Sequence, residues 1–219
     1  MTDDVIEFGG TPGTPFNDER LDAAAFHRNH QAIGAALASL LNGKAGDVLE
    51  IGSGTGQHVV AFAGLMPEIV WWSSDLSDRH RASIAAWRSH AQLGNLRAPQ
   101  KIDESAPDWR PEGPGPLIAT FCANVVHIAP WPVAEGLFAG AVRLLRPDGH
   151  LVLYGPFMRD GRHTAPSNAA FDASLRASNP AWGVRDVGQM NELAEAVALR
   201  PAELIEMPAN NLILAFARA

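Results

Sequence analysis

The stretch Asp47-Val48-Leu49-Glu50-Ile51-Gly52-Ser53-Gly54-Thr55-Gly56-Gln57-His58 limits this chain to few folds. It predicts a buried strand over about 47–51, a glycine turn, and a helix over about 57–65. Glycines at alternate positions leave no Cβ on the turn, so the backbone can bend sharply and a ligand can lie against it. The helix that follows offers free N–H groups and the positive end of its dipole. Glu50 ends the strand, where its carboxylate can face that ligand.

Composition narrows the classes. The 219 residues suit one domain, and 47% hydrophobic with 19% charged residues predicts an ordered core. A net charge of −7 gives no electrostatic reason to expect nucleic acid as a partner. No apolar run is long enough for a bilayer, and the start, Met1-Thr2-Asp3-Asp4, lacks the features of a secretory signal, so no membrane and a cytoplasmic location are expected. Cys122 is the single cysteine, which leaves no disulfide and no thiolate cluster; it is expected to be a buried filler.

A dinucleotide turn wants G-x-G-x-x-G, and Gln57 stands where its last glycine would fall. That makes a dinucleotide-dependent oxidoreductase a poor fit. The spacing E-x-G-x-G-x-G over Glu50–Gly56 instead resembles the first motif of class I methyltransferases, which bind S-adenosylmethionine (SAM). The resemblance implies that Glu50, Gly52, Ser53, Gly54 and Gly56 pack against the amino-acid and ribose parts of SAM.

Residues 1–19 read as an extended arm and about 20–42 as a helix with the stripe Leu21, Phe26, Ile33, Leu37 and Leu40, ended by Asn42-Gly43. Arm and helix, about 1–45, are expected to cover the cofactor site, with Arg28 or Asn29 reaching it. A second strand, Ile69–Ser73, leads to Asp75, 19 residues beyond Gly56, where an acid can accept hydrogen bonds from both ribose hydroxyls of an adenosine. The competing reading is that Asp75 or Asp78 caps the helix over about 77–92. A short third strand, about 98–102, brings Asp103 to where it could contact the adenine amino group. The proline- and glycine-rich residues 104–116 form a loop, and the fourth strand, about 117–122, runs out into Asn124 and His127. The crevice past the strand ends is where open α/β sheets bind ligands.

A helix over about 132–145 and the turn Pro147-Asp148-Gly149 feed a fifth strand, His150–Tyr154. The segment Gly155–Asn168 follows, with two arginines, a histidine, an aspartate and an asparagine but no regular period. Such an insertion suits substrate contacts or a lid. Arg159 and Arg162 could hold an anionic group, since guanidinium pairs well with carboxylate or phosphate. Residues 168–178 and about 187–199 predict helices, the second capped by Asp186. Glu203–Met207 and Leu212–Phe216 predict an antiparallel hairpin.

Residues 48–58, 120–131, 144–172 and 206–216 together resemble one branch of the superfamily, the methyltransferase-like protein twenty-six family. The segments FCANVVHIAPW, LYGPFMRDGRHTAPSNAAFD and EMPANNL carry the match, with the pair Arg28-Asn29 in the first helix. The resemblance implies a Rossmann-like α/β fold. Its seven-stranded, mostly parallel sheet has the order 3-2-1-4-5-7-6, with helices on both faces. It implies SAM as cofactor and S-adenosyl-L-homocysteine as product. Cofactor contacts are expected from Arg28, Asn29, Glu50, Gly52, Ser53, Gly54, Gly56, Asp75, Asp103 and Asn124. Arg159, Arg162 and Asn168 are the expected substrate contacts, and His127, His163 and Tyr154 the expected catalytic residues. His127 is the first choice as base because imidazole titrates near neutral pH. The expected acceptor is a small molecule with an anionic group, turned over by a monomer or homodimer without a metal. A non-catalytic SAM-binding or scaffold protein is the alternative.

Overall fold

The computed structural model describes residues 16–218. Most of the expected N-terminal arm, residues 1–15, lies outside them. Six strands form a mixed sheet in the order β2-β1-β3-β4-β6-β5: β1 (Gly46–Ile51), β2 (Ile69–Ser73), β3 (Leu117–Ala123), β4 (Leu145–Gly155), β5 (Leu199–Met207) and β6 (Asn211–Arg218). The expected count of seven and the expected order are therefore not found. Where a strand was predicted at about 98–102, β2 has only the isolated parallel bridges Trp71–Leu96 and Ser74–Gln100. Pro99 lies between them and has no N–H to continue a ladder.

The chain divides into two compact units, and the first holds the described residues up to Asp103 with Pro111–Ile118. In it β1 and β2 pair in parallel, with Val48 opposite Trp71 and Glu50 opposite Ser73. Val48, Leu49, Ile51 and Trp71 are fully buried, as a continuous apolar run requires of a strand covered on both faces. Helix α1 (Ala24–Leu40) starts later than predicted and buries Ile33, Gly34 and Leu37. Gly34 lets it pass close to α2 (Gln57–Leu65), since a Cβ there would come within 3.1 Å of Leu65. Helix α3 (Asp78–Ala91) is capped by Ser77, whose hydroxyl accepts the His80 N–H; neither Asp75 nor Asp78 is the cap.

The second unit holds residues 104–110 and those from Ala119 onward. Here β6 pairs antiparallel with both β4 and β5, which gives the predicted terminal hairpin. Strand β4 begins at Leu145 and so includes the predicted Pro147-Asp148-Gly149 turn. Helix α4 (Trp131–Leu144) carries Gly136 and Gly140 one turn apart, and the 104–110 segment seats on that bare stripe. The Trp109 indole donates to the Gly136 carbonyl at 2.8 Å and leaves no room for a Cβ on Gly140. Phe138 and Phe216 meet edge to face at 5.2 Å in the core. Burying a ring of that size contributes about 1.5–3 kcal/mol. Helices α5 (Pro166–Ser178) and α6 (Val187–Ala196) complete the unit, α6 with a capping box from Asp186 and Gln189.

Candidate functional site

In the first unit the glycine turn is built by backbone geometry that other residues resist. Gly52, Gly54 and Gly56 have φ of 62°, 56° and 88°. The turn is laced to the end of β2. Ser53 N–H donates to Ser74 O at 2.8 Å, Ser74 N–H donates to Glu50 O at 3.0 Å, and Gly54 N–H donates to Asp75 Oδ2 at 2.9 Å. A Cβ on Gly54 would meet nothing within 4 Å among the described residues, whereas one on Gly56 would sit 2.8 Å from the Ile84 Cα. Gly54 thus faces open space and Gly56 is needed for α3 to approach.

Glu50 is 2% exposed, and its Oε2 has no hydrogen-bond partner among the described residues. Burial pushes its carboxyl up to about 8, against a hydrogen bond from Ser53, and the charge of Asp75 adds to the rise. A buried carboxyl with one bare oxygen suits a cationic ligand group, which would supply the missing partner. Asp75 is 7% exposed. Its Oδ1 accepts the Ser77 N–H at 2.9 Å and lies 3.1 Å from His80 Nδ1. With Gly54 on Oδ2, three of about four carboxylate lone-pair positions are engaged, which leaves one on Oδ2. The described residues therefore fit an adenosyl cofactor bearing an ammonium group. Asp103 is exposed.

Arg28 is exposed on α1. Asn29 Oδ1 instead holds His58 Nε2 at 2.8 Å, joining α1 to α2. Burial, with the neighbouring His30, pushes His58 down to about 4. Four residues unmarked in the sequence complete this side. Gln57 joins the turn to Asp22 and Ala23, and His80 faces Asp75. Ser83 accepts the Leu21 N–H and donates to Thr55 O, while Trp87 donates to Leu21 O. Gln57 stood out only as a glycine that was absent.

In the second unit Asn124 and His127 form one 3-10 turn just past β3. Asn124 is left-handed (φ 63°); its N–H donates to Tyr154 O at 2.8 Å and its carbonyl accepts the His127 N–H at 2.9 Å. Tyr154 is buried in β4 opposite Ile213. His127 is fully buried, and its Nδ1 accepts the Arg185 N–H at 3.2 Å. Burial, with the Arg185 charge, pushes it down to about 3. A ring so held has no free lone pair near neutral pH, so the expected role of His127 as base does not fit its geometry. His163 Nε2 lies 3.6 Å from Asp172 Oδ2, and its Nδ1 is buried without a partner among the described residues. Burial opposes the charge of Asp172, but Arg176, the Val184 N–H and His163 outweigh it and hold its carboxyl below the usual range.

The 155–168 segment is pinned, not loose. Asp160-Gly161, with φ of 52° and 71°, makes the tight primed turn of a two-residue hairpin, closed by paired backbone bonds between Arg159 and Arg162. The Gly161 N–H donates to Asp186 Oδ2 at 2.8 Å. Two of the three expected substrate contacts, Arg159 and Asn168, are engaged within the chain. Arg159 pairs with Glu206 at 3.1 Å. Asn168 is buried, and its amide donates to Thr164 and to the Asn210 carbonyl. Arg162 is exposed. Asn210 and Asn211 both serve this end of the hairpin, Asn211 by donating to Pro208 O. No group of three or more His, Cys, Asp or Glu among the described residues is placed to hold a metal ion, and no described helix is long and apolar enough to cross a membrane.

Solved methyltransferases share this fold. The O-methyltransferase family protein from Burkholderia thailandensis matches 89% of the chain with a TM-score of 0.75 and 16% identity. The mitomycin 7-O-methyltransferase MmcR matches 90% with a TM-score of 0.75 and 15% identity. The O-methyltransferase NcsB1 from neocarzinostatin biosynthesis, solved with SAM and 2-hydroxy-5-methyl naphthoic acid, matches 89% with a TM-score of 0.71 and 15% identity. The matched parts are 57%, 55% and 55% of those chains, so this chain spans little more than half the length of the structures it resembles. The fold is that of SAM-dependent methyltransferases, and by a family model matching residues 20–218 the chain belongs to the family described as protein of unknown function (DUF938).

Proposed function

We propose that this protein binds SAM at the glycine turn and transfers its methyl group to a small-molecule acceptor. The observation that carries the reading is Glu50: a buried carboxyl with a bare oxygen, at the mouth of a turn whose three glycines have positive φ. Its complement is the α-ammonium group of SAM. Gly54 offers the cofactor a surface without a side chain. Asp75 offers its remaining Oδ2 lone pair to one ribose hydroxyl, with the second left to other donors and acceptors. Arg28, Asn29, Ser53, Asp103 and Asn124 remain proposed cofactor contacts, and the kinship with the methyltransferase-like protein twenty-six family is part of the same reading. The bound cofactor supplies a sulfonium methyl group, whose transfer needs alignment of the acceptor and no acid for the leaving group. His163, with Asp172 behind it, is the proposed group for taking a proton where the acceptor carries one. Tyr154 and Arg162 are the proposed acceptor contacts.

Calorimetric titration with SAM and with S-adenosyl-L-homocysteine tests this, with NADH as control. Micromolar binding of both is expected. Asp75→Ala removes one charge-assisted hydrogen bond and the anchor of the Gly54 N–H, and is expected to weaken it about 10–100-fold. Binding of NADH without SAM would overturn the reading. Arg159, Asn168 and the His127 lone pair are all engaged within the chain, which favours a non-catalytic SAM-binding protein as the second reading. Release of S-adenosyl-L-homocysteine from SAM in a small-molecule cell extract separates the two.

A further inference from the structure

An amide N–H can donate only to a lone pair. Since the Arg185 N–H donates to His127 Nδ1, that nitrogen carries no proton, and the neutral ring carries its proton on Nε2. That Nε2–H is buried and has no acceptor among the described residues. A buried donor left unpaired is costly, and a ligand oxygen is the kind of partner it lacks. The ring cannot turn away. Phe157 stands edge-on to it at 4.6 Å, the His127 carbonyl accepts the Gly183 N–H at 2.9 Å, and the His127 N–H donates to the Asn124 carbonyl. Gly155 makes the space: a Cβ there would lie 2.2 Å from Nε2 and 3.4 Å from Asn124 Oδ1.

Arg185 fixes this arrangement from several directions. Its guanidinium donates to Val126 O at 2.9 Å, to Ala129 O at 2.8 Å and to Ala181 O at 3.0 Å, and it lies over the Trp131 ring at 5.4 Å. It thus ties the Asn124–Trp131 turn to the 181–185 segment, whose Arg185 N–H meets His127.

We propose that His127 is a fixed, uncharged N–H donor to a lone-pair-bearing oxygen of the methyl acceptor, such as a carboxylate or carbonyl oxygen, and that Arg185 is the residue that positions it. The use of the donor rests on the methyl-transfer reading; the form of the ring does not. The charges that face the ring agree with it on balance, since Arg185 disfavours a second proton while Asp172 favours one, and burial sides with Arg185.

The test is nitrogen NMR of the whole chain labelled at its histidines, without ligand and then with S-adenosyl-L-homocysteine. His127 is expected to show one proton, on Nε2, from pH 5 to 9, with slow exchange. Arg185→Gln is expected to speed that exchange and move the titration of His127 upward, and Arg185→Lys, which keeps the charge, to restore part of the wild-type behaviour. A proton on Nδ1, or titration of the wild-type ring between pH 5 and 8, would overturn the donor assignment. Unchanged exchange and titration in a folded Arg185→Gln would overturn the role of Arg185. Affinity for S-adenosyl-L-homocysteine in the same samples reports separately on the methyltransferase reading.

Discussion

Glu50→Gln is expected to stabilise the protein at alkaline pH and to abolish SAM binding. Folding raises the Glu50 carboxyl from its ordinary 4.5 to about 8, chiefly by burial. The folded state therefore holds a proton that the unfolded chain gives up. The stability Glu50 contributes is whole below pH 4.5 and is lost as the pH rises through about 8, the folded value. By about pH 9 the loss is on the order of 3–5 kcal/mol. Glutamine has nearly the same shape as the protonated carboxyl and never ionises, so its melting temperature should fall far less between about pH 5 and 9. Its amide oxygen can accept an ammonium N–H but carries no negative charge to balance it, so the charge-assisted bond is lost. SAM titration of the wild type near pH 7 should release close to one proton, read as a dependence of the heat on the buffer's ionisation enthalpy, and the variant should show neither heat nor proton release. Equal pH profiles of melting, or retained SAM affinity in the variant, would refute this account of Glu50.

Two glycines of the same turn should fail in different ways. In Gly56→Ala the new methyl meets the Ile84 Cα at 2.8 Å and Cγ1 at 3.0 Å, at a φ of 88°. The left-handed backbone costs about 1–2 kcal/mol and the forced displacement of α3 about 1–3 more. A loss of roughly 3 kcal/mol or more is a large share of a domain's stability and should lower the melting temperature by about 6–12 °C. Gly54→Ala has the same kind of backbone but free space around it. It should lose only about 1–2 kcal/mol and still fold, while its methyl occupies the surface offered to the cofactor. Thermal melts beside SAM titrations separate the two; a Gly54→Ala protein that binds SAM normally would remove that surface from the proposed site.

The glycine turn was legible because its constraint is on the backbone, and backbone preferences are local. The same holds for Asp186 capping α6 and for the apolar runs of β1 and β2. The third predicted strand failed on a local fact as well: Pro99 outweighed the pattern around it. What stayed hidden depends on partners distant in sequence. Arg159 looks free for an anion until Glu206 meets it from β5, 47 positions on. His127 looks like a base until the Arg185 N–H, 58 positions on, takes its lone pair. Asn168 reads as a site residue by type, yet its amide ties the start of α5 to Asn210, 42 positions on. Polar residue types alone do not distinguish an unengaged side chain from one already hydrogen-bonded.

Gln57 carries a consequence for how such a turn can evolve. Its amide donates to Asp22 Oδ1 at 2.7 Å, while its oxygen accepts the Ala23 N–H at 2.8 Å and the Thr55 hydroxyl at 3.0 Å. A single change to glycine would write a dinucleotide fingerprint into the sequence. It would also cut the tether between the turn and the segment that enters α1, leaving the half-buried Ala23 amide and the buried Thr55 hydroxyl without the partner they share. The shortest mutational route from one nucleotide cofactor to the other thus crosses a stability valley, and a lineage on this side of it is held there by folding before any loss of catalysis is felt.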